Sequence, residues 1–260
     1  MKLPMQTALI TGASSGIGVD LAFEFAKRGH HLVLLARRED RLLQVKSDIL
    51  SQYPALQVHI LVQDLIQDDA LKQIQQFLTA NNISIDYLVN NAGFGLRGQF
   101  HELDQQRQLD MITLNVTRLT ELCRHFLPSM LAKNSGGILN VASVAGFQPG
   151  PKMSVYFASK AFVLFLSEGI YEEIKPSHVL ISTLCPGPTA SEFGKVSDME
   201  NTRLFDHGVM ASAEVARIGV DGFFRNQAIV ITGFKNKILA ILNRFVPRFL
   251  VRKIAHFLQT

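Results

Sequence analysis

The sequence predicts an α/β protein: a doubly wound, seven-stranded parallel sheet with helices on both faces, continued by a C-terminal helical extension. Short apolar runs recur seven times along the 260 residues, and amphipathic stretches long enough for helices lie between them. A helix that joins two parallel strands must return over the sheet with one hand, so such an alternation covers both faces. The 47% hydrophobic and 18% charged composition suits a large core and excludes a disordered chain.

The first strand is read in "TALI" (7–10); the preceding "MKLPMQ" has one lysine and no long apolar run, which argues against a signal peptide. Helical patterns follow at 16–29 and 39–52, on either side of the strand "HLVLLA" (31–36). The remaining strands are "QVHILV" (57–62), "IDYLVN" (85–90), "GILNVAS" (137–143), "HVLISTL" (178–184) and "AIVIT" (228–232). No internal repeat or low-complexity linker divides them, so a single domain over 1–260 is expected. The longest charge-free run, Asn134 to Pro151, is broken by glycine, serine and proline, and no membrane-spanning helix is expected.

Cys123 and Cys185 have no metal-ligand spacing and the eight histidines show none, so two free thiols, a reducing cytoplasmic setting and no metal are expected. From Gly222 onward there are seven basic residues and no acidic ones, whereas the first 221 residues carry 19 basic and 22 acidic side chains. The basic excess therefore belongs to one end, which argues against nucleic-acid binding by the body.

Chemistry enters with "TGASSGIG" at the first crossover. Gly12, Gly16 and Gly18 permit a tight turn and close backbone approach to a pyrophosphate, which the positive end of the following helix stabilises; a plain tight turn is the alternative. "VYFASK" sets Tyr156 and Lys160 four apart on a run whose only other charges are Lys152 before it and Glu168 after it, so it reads as a mostly buried helix. A buried ammonium is costly without a partner. Residues four apart share a helix face, so Lys160 stands beside the Tyr156 hydroxyl. Moving a phenol from about 10 to about 7 takes roughly 4 kcal/mol, about what a unit charge near 4 Å supplies at an effective dielectric of 20.

The T-G-x-x-x-G-x-G of 11–18, "NNAG" at 90–93, Asn115, Ser143, the Y-x-x-x-K of 156–160 and "PGPT" at 186–189 resemble, in order and spacing, the short-chain dehydrogenase/reductase family over roughly residues 5–233. The resemblance implies a Rossmann-type NAD(P)-binding domain, with 234–260 as a basic amphipathic extension, and a homodimer or homotetramer. It implies that Tyr156 is the acid/base, Ser143 holds the carbonyl oxygen, Lys160 bonds the nicotinamide ribose, and Asn115 anchors a water leading from Lys160. Ser14, Ser15, Gly16, Ile17 and Gly18 would meet the phosphates, Asp64 and Leu65 the adenine, and Asn91, Ala92, Gly93, Pro186, Gly187 and Thr189 the rest of the cofactor.

An acidic residue after the second strand would favour NAD(H); "LLARRED" has Arg37 and Arg38 there, and guanidinium suits a 2′-phosphate, so NADP(H) is expected over NAD(H). The predicted function is reduction of a hydrophobic ketone or aldehyde, because Phe94, Leu96, Val144, Phe147, Met153, Pro188 and the lid-like 190–210 with Phe193, Met199 and Phe205 are apolar. The alternatives are a 3-oxoacyl thioester reductase and a nucleotide-binding sensor without turnover.

In "NKILAILNRFVPRFLVRKIAHFLQT", Ile238, Ile241, Leu242 and Phe245 share one helical face; beyond Pro247, Leu250, Ile254, Phe257 and Leu258 share another, with Arg248, Arg252 and His256 as a polar stripe. Two short helices are expected. Capping the pocket or joining subunits is the favoured reading, and peripheral contact with a membrane surface the other.

Overall fold

The computed structural model describes residues 5–196, 209–243 and 245–259. Seven strands form one parallel sheet: β1 (Thr7–Thr11), β2 (His31–Ala36), β3 (Val58–Val62), β4 (Tyr87–Asn90), β5 (Gly137–Val141), β6 (Leu180–Cys185) and β9 (Ile229–Ile231), in the order β3-β2-β1-β4-β5-β6-β9. The expected alternation is observed. A second, two-stranded pairing, β7 (Thr189–Ala190) with β8 (Met210–Ala211), was not anticipated, because two residues are too few to show a period.

Residues along each strand point alternately to the two faces, and β2 shows it directly. Leu32, Leu34 and Ala36 join the core under α1 (Ile17–Lys27), α2 (Glu39–Gln52) and α8 (Ser212–Phe224). Val33 and Leu35 join the opposite core, under α3 (Ala70–Ala80), α5 (Leu119–Lys133) and α6 (Ser154–Glu173). Phe25 and Phe223, both fully buried, fill the first layer with ring centroids 6.2 Å apart.

The chain leaves β1 for β2 on one side and later returns with β4 on the other, so the strand order reverses at β1. The crevice outside the carboxyl ends of β1 and β4 is where such sheets bind ligands. The segment before α5 is irregular in a useful way: α4 (Gln105–Ile112) runs into a π-helical turn, Thr113–Arg118, which carries Asn115. Insertions of this kind collect at functional sites.

Behind the crevice lies a buried polar network. Asn90 Nδ2 donates to Asn140 Oδ1 (2.9 Å) and Cys123 Sγ (3.3 Å), and Asn140 Nδ2 donates to Ser167 Oγ (2.9 Å). Asn90, the first asparagine of "NNAG", therefore ties β4 to β5 in the core and does not face the crevice. Both thiols are free and buried, and burial pushes each up to about 12.

The helix α6 corrects one expectation. Tyr156, Phe157, Ser159, Lys160, Val163, Leu164 and Ser167 are buried, but Phe162 and Phe165 are exposed on its outer face, so the segment is one-sided and not buried all round. The C-terminal region forms α9 (Phe234–Leu242) and α10 (Arg248–Gln259), separated at Pro247 as expected. Among the described residues no helix is long and apolar enough to cross a membrane. Arg244 and the Leu258 side chain lie outside the described positions.

Replacing Asn140 by Ala leaves the Asn90 amide only the weak acceptor Cys123 Sγ in the core, at a cost of about 2 kcal/mol. Urea denaturation is expected to show this loss, and the Asn140→Ala/Ser167→Ala double variant is expected to lose less than the sum of the single variants, because the two share one hydrogen bond.

Candidate active site

The crevice is a cleft of about 430 Å³ running across the carboxyl end of the sheet. Its first wall is the glycine loop. Gly12 (φ 67°) and Gly16 (φ 54°) adopt the left-handed conformation that disfavours a side chain. Gly16 immediately precedes α1, so the loop delivers the cleft to the positive end of that helix. Ser14, Ser15 and Ile17 line the cleft with them.

Gly18 has a different role from the one expected of it. It does not line the cleft; a Cβ there would lie 2.2 Å from Gly12 O and 2.6 Å from Asn91 Nδ2, so its bareness lets α1 pack against the loop. Asn91 completes that packing by donating from Nδ2 to Thr11 O (3.0 Å) and Gly12 O (3.2 Å). The Thr11 hydroxyl donates to Val89 O and accepts from the Asn91 and Ala92 amides, both at 3.0 Å, which fixes "NNAG" against β1. At Gly93 a Cβ would meet Asn115 Oδ1 at 2.9 Å and Lys160 Nζ at 3.5 Å.

At one end of the cleft stand Arg37 and Arg38, after β2, with Asp64 and Leu65, after β3. Arg37 is exposed, its Nη1 3.7 Å from the Asp64 carboxylate. Arg38 Nη2 lies 2.8 Å from Glu192 Oε2 and 3.4 Å from Ser14 Oγ. The hydrogen bond from Arg38 holds the Glu192 carboxyl below its usual range. Glu192 opens the short helix α7 (Glu192–Val196), so this contact joins the second β-α turn to a segment 154 residues away. The pairing was not foreseen from sequence.

Elsewhere in the cleft Ser143, Tyr156 and Lys160 come together from β5 and α6. Ser143 follows β5 in extended conformation and caps the 3-10 turn Val144–Phe147, its Oγ accepting from Ala145 N at 3.1 Å. Lys160 Nζ lies 5.8 Å from the Tyr156 ring centroid and donates to Val141 O at 2.9 Å. The partner that a buried ammonium requires is thus a strand-end carbonyl as well as the tyrosine.

The electrostatics differ from the simple expectation of a phenol brought toward neutrality. Burial pushes the Tyr156 phenol up to about 12, opposed by its hydrogen bond with Ser143. Burial also lowers the Lys160 ammonium to about 8. Desolvation dominates both groups, opposed at Tyr156 by the Ser143 hydrogen bond and at Lys160 by Cys185, while the ammonium faces the ring across 5.8 Å and its short contact goes to backbone.

Asn115 stands behind the wall of the cleft. Its Nδ2 donates to Phe94 O (3.0 Å) and Ser159 Oγ (3.1 Å), and its Oδ1 accepts from Phe94 N (3.2 Å). Ser159, which sequence reasoning missed, passes the link on by donating to Tyr156 O at 2.7 Å. A serine inside a helix carries no signal of its own; its only hint was its place between Tyr156 and Lys160.

The remaining wall is apolar. Tyr156 packs in a small cluster with Met111, Ala145, Met153 and Phe157, against which Phe94, Leu96 and Phe193 also rest. The Phe193 ring lies 5.2 Å from that of Tyr156. Pro186, Gly187, Pro188 and Thr189 line the cleft, with Thr189 Oγ1 turned onto Gly187 O at 2.9 Å. Leu96 and Met153 pack behind the wall instead of lining it, and Phe147 packs against the core; Met199 and Phe205 lie outside the described residues. Arg107, unforeseen, also lines the cleft, its guanidinium 4.7 Å from the Phe94 ring centroid.

The chain matches the short chain dehydrogenase model over residues 6–201. It is 34% identical over 194 residues to a very-long-chain 3-oxoacyl-CoA reductase of Bos taurus, an alignment covering 73% of this chain and 61% of that protein. The chain thus spans less than two thirds of that relative's length. Among solved structures, a short-chain dehydrogenase from Sphingobium yanoikuyae in complex with NADPH is 34% identical with a TM-score of 0.81, covering 93% of this chain and 94% of that one. A bulky-bulky ketone specific alcohol dehydrogenase from Comamonas testosteroni is 31% identical with a TM-score of 0.78, covering 94% and 93%. Agreement over three quarters of the sequence, joined by a shared fold across nearly the whole chain, makes this protein a member of the short-chain dehydrogenase family of oxidoreductases.

Proposed function

We propose that the protein reduces a hydrophobic ketone or aldehyde to the alcohol with NADPH, Tyr156 supplying the proton. The observation that carries this reading is the convergence of Ser143, Tyr156 and Lys160 in a cleft whose opposite wall is a glycine cradle and whose far end bears Arg37 and Arg38. The cradle fits a dinucleotide because side chains at Gly12, Gly16 or Gly93 would occupy it or distort it. A reduced nicotinamide supplies hydride.

The protein's own part is to hold oxygen and move a proton. Ser143 Oγ donates to the carbonyl oxygen where negative charge develops, and the Tyr156 hydroxyl gives its proton to that oxygen. Lys160 stabilises the phenolate left behind, and Asn115 with Ser159 positions the helical turn that bears both. The phenol at about 12 is fully protonated at neutral pH, as an acid should be. The apolar surround of Phe94, Phe157 and Phe193 supports an apolar substituent on the carbonyl.

The sequence similarity to a 3-oxoacyl-CoA reductase, with Arg107 beside the cleft as a cation for an anionic carrier group, favours a 3-oxoacyl thioester as the second reading. A panel of aryl and bulky ketones, aldehydes and 3-oxoacyl thioesters, followed by NADPH oxidation, tests both. Turnover of free ketones is expected to exceed that of thioesters, and Tyr156→Phe is expected to remove it at least 1000-fold while still binding nucleotide. Turnover intact in Tyr156→Phe would overturn Tyr156 as the proton donor, and no turnover of any panel member with NADPH still bound would leave only a nucleotide-binding role.

Lys160 makes reduction pH-dependent. Below about 8 its ammonium is charged and supports the phenolate; above about 8 the charge is lost. kcat/KM for reduction is expected to hold level from pH 6 to about 7.5 and then fall roughly tenfold per unit. The same depression, from 10.5 to about 8, costs the fold about 3 kcal/mol. That cost is full below pH 8 and disappears as pH rises toward 10.5. Lys160→Met is therefore expected to abolish turnover yet raise the unfolding midpoint at pH 7, even after losing the bond to Val141 O.

For the cofactor, Arg38→Ala removes a charge-assisted contact worth roughly 1.5–3 kcal/mol to a 2′-phosphate, a factor of about 10 to 100. KM for NADPH is expected to rise by that factor with KM for NADH changed less than about twofold; equal effects on both would sink the assignment.

A further inference from the structure

The outer faces of α9 and α10 are apolar and face away from the protein. On α9, Phe234, Ile238 and Leu242 recur every fourth residue and Ile241 lies beside them; all four are exposed, Phe234 at 77%. The opposite side of the helix holds it to the body. Ala240 is buried, Asn236 Nδ2 donates to Thr232 O (2.7 Å), and Asn243 Nδ2 donates to Gln148 Oε1 (3.0 Å). On α10, Val251 and Ala255 are buried, whereas Leu250, Ile254 and Phe257 are exposed; Phe245, between the helices, is exposed at 79%. These large side chains do not cover the cleft: α9 touches its rim with amides, and both helices present their large apolar groups outward.

We propose that this face docks on an anionic lipid bilayer. Large exposed apolar side chains repeated along two successive helices mark an interaction site. Its occupant follows from charge: Lys235, Lys237, Arg248, Arg252 and Lys253 are all exposed on the same two helices, and no acidic residue occurs from Gly222 onward. Lys235 and Lys237 stand on either side of the stripe made by Phe234, Ile238 and Leu242, where their stems reach past the buried rings to lipid headgroups. A second copy of the chain is a poor partner, because a two-fold contact sets the same patch against itself and would oppose five cations with five. An anionic surface attracts each of them by about 1 kcal/mol.

The placement also bears on the cleft. A Cβ at Gly187 would strike Asn236 Nδ2 at 2.1 Å, and Gln148, the partner of Asn243, lines the cleft. The docked face and the cleft wall are therefore two sides of one helix, and an apolar carbonyl compound dissolved in the bilayer would reach the cleft without crossing bulk water.

The test is co-sedimentation with vesicles of phosphatidylglycerol and phosphatidylcholine, beside vesicles of phosphatidylcholine alone, with gel filtration in parallel. The full chain is expected to sediment with the anionic vesicles at least tenfold more strongly than with neutral ones, and less so as salt is raised from about 0.1 M to about 0.5 M. A Phe234→Ser/Phe245→Ser/Ile254→Ser variant, altered only at exposed positions, is expected to lose that binding at least tenfold while its thermal midpoint stays unchanged. Lys235→Glu/Lys237→Glu/Arg252→Glu/Lys253→Glu is expected to lose the preference for anionic lipid. No sedimentation of the full chain, equal sedimentation by the serine variant, or a dimer that the serine variant turns into a monomer without any lipid binding would each overturn the proposal. None of these readouts depends on turnover, so a failed substrate assignment leaves them intact.

Discussion

A single buried cation organises the half of the cleft that holds Ser143 and Tyr156. Lys160 is buried in the cleft wall against α6, β5 and the Gly93 turn, and an ammonium in such a place persists only if geometry supplies most of what water no longer does. Val141 O, at the end of β5, supplies it at 2.9 Å. That bond fixes where α6 sits relative to the sheet edge, and hence where Tyr156, one turn earlier, meets Ser143. Gly93 must lack a side chain because Lys160 and Asn115 fill the space beside it. The site is therefore costly in stability and narrow in permitted sequence, the usual mark of residues kept for chemistry and not for folding.

The rest of the architecture serves to bring that cation to the crevice. Reversal of strand order at β1 leaves the loops after β1 and β4 with a gap between them. Thr11 closes its floor by serving one carbonyl and two amides at once, and Gly18 lets α1 approach so closely that its N-terminus aims into the gap. Behind it the Asn90–Asn140–Ser167 network spans β4, β5 and α6. It couples the strand that carries the nucleotide loop to the strand that precedes Ser143. A polar network fully inside a core specifies register more than it adds stability.

The sheet was legible in the sequence because burial on both faces leaves continuous apolar runs that a polar connection interrupts, as β2 shows. Tyr156 and Lys160 were legible because a lone charge in an apolar helix contradicts its surroundings. Other features had no such contradiction to announce them. Asn90 and Asn91 are adjacent identical residues with opposite duties, one in the core and one in the loop, and only the direction of the strand decides which is which. Gly18 was visible as a glycine, but whether it makes room for a ligand or for a helix depends on what stands 2.2 Å away. Ser159 and the Arg38–Glu192 pair depend on residues brought together from distant parts of the chain. Helical period showed that α9 has an apolar face, yet not that its amides would turn inward and its phenylalanines outward, because Asn236 and Asn243 find specific acceptors on the body.

The two ends of the cleft are held by contacts of very different strength, and this difference has a consequence for ligand entry. Around Lys160 every contact is buried and fixed by packed helix and strand. Over the nucleotide end, α7 is tied down by Glu192, whose partner Arg38 is as exposed as Glu192 itself, a pairing worth no more than about 1 kcal/mol in water. A phosphate dianion would compete with Glu192 for that guanidinium, because it carries more charge than a carboxylate does. Phe193 is the next residue, and its ring rests on Tyr156. The exposed ion pair at the arginine end and the ring resting on Tyr156 therefore sit on adjacent residues. One short helix thereby touches both halves of the cleft, through Glu192 on Arg38 and through Phe193 on Tyr156.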